Sequence, residues 1–160
     1  MRLLFDTNIW AIYEKGYEPV INYIQERIKE GREHEFCMSR MIQHELLSIQ
    51  SFDTEDEIKH SRLSMIEMCE SFFEVDEQTV LLAAEIRRRT KRNGLTIKAP
   101  DAIIAATARI HNARLISHND KDFLWASREY DIEYYNPILD KDHYISFNRR
   151  FNQENSLEEK

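Results

Sequence analysis

The sequence predicts an α/β protein built on a central parallel sheet of four to five strands. Three features lead there. Apolar runs of strand length recur along the chain, amphipathic stretches of helix length separate them, and the two alternate. Alternation of this kind implies parallel strands joined by right-handed crossovers.

The elements follow in order. Arg2 to Phe5 is a short apolar strand that stops at Asp6. Ile9 to Tyr13 begins a helical pattern, and a second helix runs from about Pro19 to Glu30, with Gly31 where a helix stop belongs. Glu35 to Met38 reads as the second strand. Ser39 is placed to cap a helix carrying Met41, Ile42, Glu45, Leu46 and Ile49. Glu55 to Cys69 is amphipathic, Phe72 to Val75 is a third strand, and Glu77 to Arg92 is a helix that stops at Asn93-Gly94. Pro100 to Asn112 is an alanine-rich helix with proline at its start. Leu115 to Ser117 is the fourth strand, and Ile132 to Tyr135 the fifth, closed by Asn136-Pro137. The stretch from Asp142 to Phe151 mixes aromatic residues with Arg149 and Arg150, and both packing on the body and contact with a partner stay open for it. Glu154 to Lys160 has the composition of a disordered tail.

Length and composition fit one globular unit. A chain of 160 residues can bury a core without staples. Its two cysteines, Cys37 and Cys69, are far apart and form neither a disulfide framework nor a zinc motif, which agrees with a reducing, cytoplasmic setting. No apolar run approaches the roughly 20 residues that span a bilayer, and Asp6 interrupts the N-terminal run, so neither export nor membrane insertion is expected. The net charge of −7 argues against a protein that coats nucleic acid by bulk charge. It is compatible with an enzyme whose own site is acidic. One basic stretch, Arg87-Arg88-Arg89-Thr90-Lys91-Arg92, suits either phosphate contact or a solvated helix end favoured by the dipole.

The acidic residues carry the chemistry. Asp6 directly follows the first strand, and Asn119, Asp120 and Asp122 follow the fourth, so all lie at carboxyl strand ends, where ligands of open parallel sheets bind. Asp101 opens the alanine-rich helix, and Glu45 sits on the helix after the second strand. Several carboxylates aimed at one point repel unless a positive charge lies between them. A hard divalent cation, Mg²⁺ or Mn²⁺, is the natural partner, and such ions activate water for in-line attack on phosphorus. Two rival chemistries are disfavoured. His44-Glu45 begins like a zinc-protease motif, but position 48 is Ser48. An aspartyl-phosphate mechanism wants a second Asp two positions after the first, where the chain has Asn8.

Four motifs in register resemble the PIN-domain family, and most of all the VapC-type toxins of toxin–antitoxin pairs. They are Leu3-Leu4-Phe5-Asp6-Thr7-Asn8-Ile9, His44-Glu45-Leu46, Ala99-Pro100-Asp101-Ala102-Ile103-Ile104-Ala105-Ala106-Thr107-Ala108 and Leu115-Ile116-Ser117-His118-Asn119-Asp120-Lys121-Asp122-Phe123. The likeness covers residues 1–137 as a nuclease domain and leaves residues 138–160 as a C-terminal extension.

The resemblance implies a three-layer α/β/α fold and a Mg²⁺- or Mn²⁺-dependent endoribonuclease. Asp6, Glu45 and Asp101 match the family's acidic positions and are carried over as metal-site carboxylates. Thr7 is expected to orient Asp6, and Asn8 to touch metal-bound water or phosphate. The fourth position depends on alignment. Counting from Ser117, which stands in place of the family's threonine, gives Asn119, while counting back from Phe123 gives Asp120. Asp120 is preferred because a carboxylate suits a hard cation better than an amide does, with Asp122 as third choice. His118 is a candidate for placing phosphate. The resemblance further implies an RNA substrate, a cognate antitoxin and a homodimer, for which the helices at Pro19 to Glu30 and Glu55 to Cys69 offer apolar faces that serve equally as core. Asn119 and Ser117 also keep open a weakened module that acts by binding RNA or antitoxin.

Overall fold

The computed structural model describes residues 1–158. Five strands, β1 (Arg2–Phe5), β2 (Glu35–Ser39), β3 (Ser71–Phe73), β4 (Arg114–Ile116) and β5 (Tyr134–Tyr135), form one sheet in the order β3-β2-β1-β4-β5. Every pairing is parallel, with Leu3 beside Phe36 and Leu4 beside Leu115 at the centre. β1 lies in the middle because Leu3, Leu4 and Phe5 form a continuous apolar run that can be covered on both faces, and all three are fully buried.

The connections explain the layers. From β1 the chain passes through α1 (Thr7–Glu14) and α2 (Glu18–Lys29) to β2, then through α3 (Arg40–Leu47) and α4 (Asp56–Glu67) to β3. From that edge it returns through α5 (Glu77–Arg92) and α6 (Ala99–Ile110) to β4, on the other side of β1, and through α7 (Asp120–Glu129) to β5. Right-handed crossovers that first run one way and then the other cover opposite faces of the sheet. The order therefore reverses between β1 and β4, and a crevice opens at their carboxyl ends.

Local chemistry sets the boundaries. Asp6 caps α1, accepting from the Thr7 amide at 2.8 Å, and Ser39 caps α3 through the Ile42 amide at 3.2 Å. Asp76 does the same for α5 through Thr79 at 2.8 Å. The alanines of α6 let it lie close to its neighbours, and Ala102, Ala105, Ala106 and Ala108 are buried.

Two helices were not anticipated. α7 forms because Phe123 and Ala126 repeat on one face and both are buried, while Asp120 and Asp122 suit its first turn. α8 (Lys141–Glu158) forms around Tyr144 and Phe147, which pack on Tyr17 with ring centroids 5.2 and 5.0 Å away. Tyr17 Oη also lies 3.0 Å from His143 Nδ1, and Lys15 Nζ donates to Asn148 Oδ1 at 3.0 Å. The backbone stays helical through Glu158, so the tail expected to be disordered from Glu154 continues this docked helix; Glu159 and Lys160 lie outside the described residues. Among the described residues no helix is long and apolar enough to cross a membrane.

Candidate active site

Asp6 is the centre of the crevice. It leaves β1 at the point where its own amide bonds the Ile116 carbonyl at 2.9 Å, so its position is fixed by the β1–β4 pairing. The side chain is only 4% exposed. Ser117 Oγ and Asn8 Nδ2 both donate to Asp6 Oδ2 at 2.7 Å. Ser117 Oγ in turn accepts from Asn8 Nδ2 and from the Asn119 amide, both at 3.0 Å, and Asn8 Oδ1 accepts from the His118 amide at 3.1 Å. Ser117 and Asn8 thus form a bracket that holds one carboxylate in one orientation. The bonds of Asn8 are made within the protein, whereas the sequence suggested contact with water or phosphate.

The second group comes from α3. Thr7 Oγ1 donates to Glu45 Oε2. The sequence assigned Thr7 to Asp6; its hydroxyl serves Glu45, and only its backbone amide serves Asp6. Asp6, Thr7, Asn8, His44, Glu45, Ser48 and Asp101 line one open cleft of about 480 Å³.

The third group is at the start of α6 and α7. Asp122 lies close enough to Asp101 for its charge to raise that carboxyl, and Asn119 Nδ2 donates to Asp122 Oδ2 at 2.6 Å. Asp120 faces elsewhere. Its Oδ1 accepts from Tyr134 Oη at 2.8 Å and Asn136 Nδ2 at 3.0 Å, and its Oδ2 lies 3.4 Å from Lys141 Nζ. The place beside Asp101, for which Asp120 was the preferred candidate, is taken by Asp122. The reason is the helical phase of α7, since residues two apart point about 200° apart around a helix axis. His118 also turns away, with its ring edge-on to Tyr144 of α8 at 4.9 Å.

The electrostatics follow. Burial, and then the charges of Asp101 and Glu45, raise Asp6 to about 7 against the hydrogen bonds from Ser117 and Thr7 that lower it. Burial, with the charges of Asp122 and Glu45, raises Asp101 to about 6, while Lys98 opposes the rise. Asp120 behaves in the opposite sense. Burial would raise it, but the bonds from Tyr134, Asn136 and Lys141 outweigh that and hold it below the usual carboxylate range. Burial lowers His118.

A model for the PIN domain family matches residues 3–128. The chain belongs to the PIN domain family. Solved structures agree on the fold. A chain of the VapBC2 complex of Rickettsia felis, solved on a promoter DNA fragment, superposes with a TM-score of 0.68 at 19% identity, covering 85% of this chain and 98% of that one. FitAcB from Neisseria gonorrhoeae gives 0.68 at 23%, covering 87% and 99%. VapBC-1 from nontypeable Haemophilus influenzae gives 0.67 at 23%, covering 86% and 98%. No curated protein matches the sequence.

Does this PIN domain suit a divalent cation? Among the described residues no three His, Cys, Asp or Glu side chains form a ready-made cage. A small hard cation does not need one, since Mg²⁺ is typically held by one or two carboxylates with water completing its shell. The donors are hard oxygens, and two of the carboxyls are held toward neutrality by burial and mutual repulsion, which a cation relieves. The residues fit such an ion.

Proposed function

We propose that the chain is a divalent-metal-dependent endoribonuclease that hydrolyses RNA phosphodiester bonds as the toxin of a toxin–antitoxin pair. The observation that carries the reading is the convergence of Asp6, Glu45, Asp101 and Asp122 at the strand-order reversal, with Asp6 and Asp101 raised by burial and by their neighbours' charge. Carboxylates raised by burial and by like charges in a cleft mark a candidate functional site.

Mg²⁺ or Mn²⁺ would be held chiefly by Asp6 and Asp101, with Glu45 and Asp122 completing the donor set. When bound, such an ion supplies counter-charge and an activated water for in-line displacement at phosphorus. The protein supplies orientation. Ser117 and Asn8 orient Asp6, Thr7 orients Glu45, and Asn119 orients Asp122, which limits how far each carboxylate must move when a cation enters. Asp120 has a different duty, tying α7 to β5 and α8.

The fold neighbours are chains of VapBC and FitAB complexes, which supports a cognate antitoxin as partner. A basic side chain of that partner, reaching into the acidic cleft, would silence the enzyme by charge complementarity. The proposal includes a cytoplasmic homodimer with residues 1–137 as its nuclease body and 138–160 as an extension.

The test is digestion of total cellular RNA by the purified chain with Mg²⁺, Mn²⁺ or EDTA, beside Asp101→Asn. Discrete fragments that require metal and vanish in the variant are the expected result. A folded, antitoxin-free protein that binds RNA without cutting it under any of these conditions overturns the enzymatic reading.

A further inference from the structure

The basic run in α5 is not used by the site described so far, and its geometry is specific. Arg89 turns away from the others, bonding Glu129 at 2.8 Å and lying over the Tyr130 ring. Thr90 is buried and donates to the Ile86 carbonyl. Arg87, Arg88 and Lys91 are exposed, and their side chains make neither ion pair nor hydrogen bond among the described residues. With Ala84 they fall at positions i, i+3, i+4 and i+7, a single stripe along the helix. Ala84, these three cations and Leu95 to Ile97 line a pocket of about 410 Å³.

The helix dipole accounts for Lys91 and leaves the two arginines unexplained. Its influence falls off within the last turn, which here contains Arg89, Lys91 and Arg92 but neither Arg87 nor Arg88. Like charges at i, i+4, as at Arg87 and Lys91, destabilise a helix. On a chain of net charge −7, with many carboxylates available, three neighbouring cations have nonetheless been left without a partner. A polyanion is the ligand that such a stripe fits.

The chain also runs directly from the stripe to a carboxylate of the acidic cleft. The α5 helix ends at Arg92, Gly94 with its positive φ of 73° turns the chain back, and the Leu95 amide closes the end on the Thr90 carbonyl at 3.1 Å. Leu95, Thr96 and Ile97 then line the pocket, Ile97 being buried as an anchor, and the next residue is Lys98 at the start of α6. One turn into that helix stands Asp101, which feels the positive charge of Lys98. Pocket, Lys98 and the cleft carboxylate Asp101 therefore follow one another along the chain, with Lys98 near enough to Asp101 for its charge to be felt there.

We infer that Arg87, Arg88 and Lys91 form a docking surface for the phosphate backbone of single-stranded RNA, which Lys98 continues to the cleft. It rests on the nuclease reading above, and it assigns to that activity a binding surface separate from the carboxylates. A backbone held at several phosphates outside the cleft fixes which bond reaches it without contributing to the bond-breaking step. The surface therefore governs KM and leaves kcat alone.

The experiment measures anisotropy of a fluorescein-labelled single-stranded RNA of mixed sequence on the full chain carrying Asp101→Asn, across a salt series. The test variant adds Arg87→Gln, Arg88→Gln and Lys91→Gln, and a control variant of equal charge change adds Arg109→Gln, Arg149→Gln and Arg150→Gln. The expected result is at least a tenfold loss of affinity in the test variant alone. Its log–log salt slope becomes shallower by about 2, at roughly 0.7 per lost phosphate contact. With Asp101 restored, the test variant shows raised KM and unchanged kcat. Equal affinity loss in test and control variants reduces the effect to bulk charge and overturns the inference. So does unchanged RNA affinity with a shift in mass by light scattering, which would make the stripe an interface between copies. Preferential binding of a poly-glutamate peptide over RNA would assign it to an acidic protein partner and likewise overturns it. Because binding is read on a variant of the cleft, patch-dependent RNA affinity without cleavage by the wild type would sink the nuclease reading and leave this surface standing.

Discussion

Asp120 and Asp122 stand two residues apart in one helix and meet opposite surroundings, one among donors and one against another carboxyl. Their substitutions should therefore separate activity from stability. Asp122→Asn is expected to lower RNA cleavage about 100-fold while leaving the denaturation midpoint unchanged or raised, since it removes repulsion from Asp101. Asp120→Asn is expected to keep activity within a few fold and to cost about 1 kcal/mol in urea denaturation, because it weakens the bonds from Tyr134, Asn136 and Lys141. The reverse pattern would return the fourth position to Asp120. Ser117→Ala tests the bracket around Asp6. It leaves Asn8 and the Asn119 amide short of an acceptor, so we expect about tenfold lower activity and a loss of about 1–2 kcal/mol. Normal activity in that variant would refute the positioning role. The sequence pointed to Asp6, Glu45 and Asp101, because motif order and strand ends place them. It did not separate Asp120 from Asp122, because that choice depends on where α7 starts and hence on its helical phase. The bond from the Thr7 hydroxyl to Glu45 was not legible for a related reason, since the two residues are 38 positions apart on different helices.

At the scale of elements, the strands were legible because each carries a short apolar or aromatic run and ends at a polar residue or a turn. The helices α7 and α8 were not, because their apolar stripes are short and interrupted by charge. Phe123 and Ala126 become interpretable as one face only once β5 is known to lie beside them, and Tyr144 and Phe147 only once Tyr17 is known to be buried. An ion pair that no local pattern announces ties the helices on one face together. Arg62 of α4 reaches Glu14 at the end of α1, 2.7 Å between Nη2 and Oε2, and both side chains are largely buried. Breaking a buried pair leaves one uncompensated charge, so Arg62→Ala should cost about 3 kcal/mol, whereas the double change Arg62→Met with Glu14→Gln should recover most of it. Because α1 also carries Thr7 and Asn8, activity should fall in the single variant and return in the double one. Equal stability of both in urea would show that the pair contributes packing only.

For the molecule as a whole, the acidic cleft makes stability depend on pH and on the cation together. Asp6 at about 7 and Asp101 at about 6 bind protons more tightly in the folded state than in the unfolded chain, where a carboxyl titrates near 4. The sign follows directly. Their contribution is fully present below pH 4 and is lost as pH rises through 6 and 7, so metal-free protein should melt at falling temperature across that window. Asp120, Glu35 and Asp76, held low by their partners, act in the opposite sense at lower pH, which places the stability maximum on the acid side of neutral. Asp101→Asn should flatten the slope between pH 5.5 and 7.5 and raise metal-free stability at pH 8 by about 1 kcal/mol, a figure reduced for the screening that a half-buried group feels. Mg²⁺ or Mn²⁺ at ten times its Kd should add about 1.4 kcal/mol at pH 8, some 3 °C in Tm, and much less at pH 5, where protons already occupy the carboxyls. Calorimetry at the two pH values, with and without the ion, decides the matter. A metal-induced rise of equal size at pH 5 and pH 8, or one that survives in Asp101→Asn, would mean that the cation binds elsewhere. A rise confined to high pH and to the intact cleft would make the same four carboxylates the source of both the instability of the metal-free protein and its affinity for the ion.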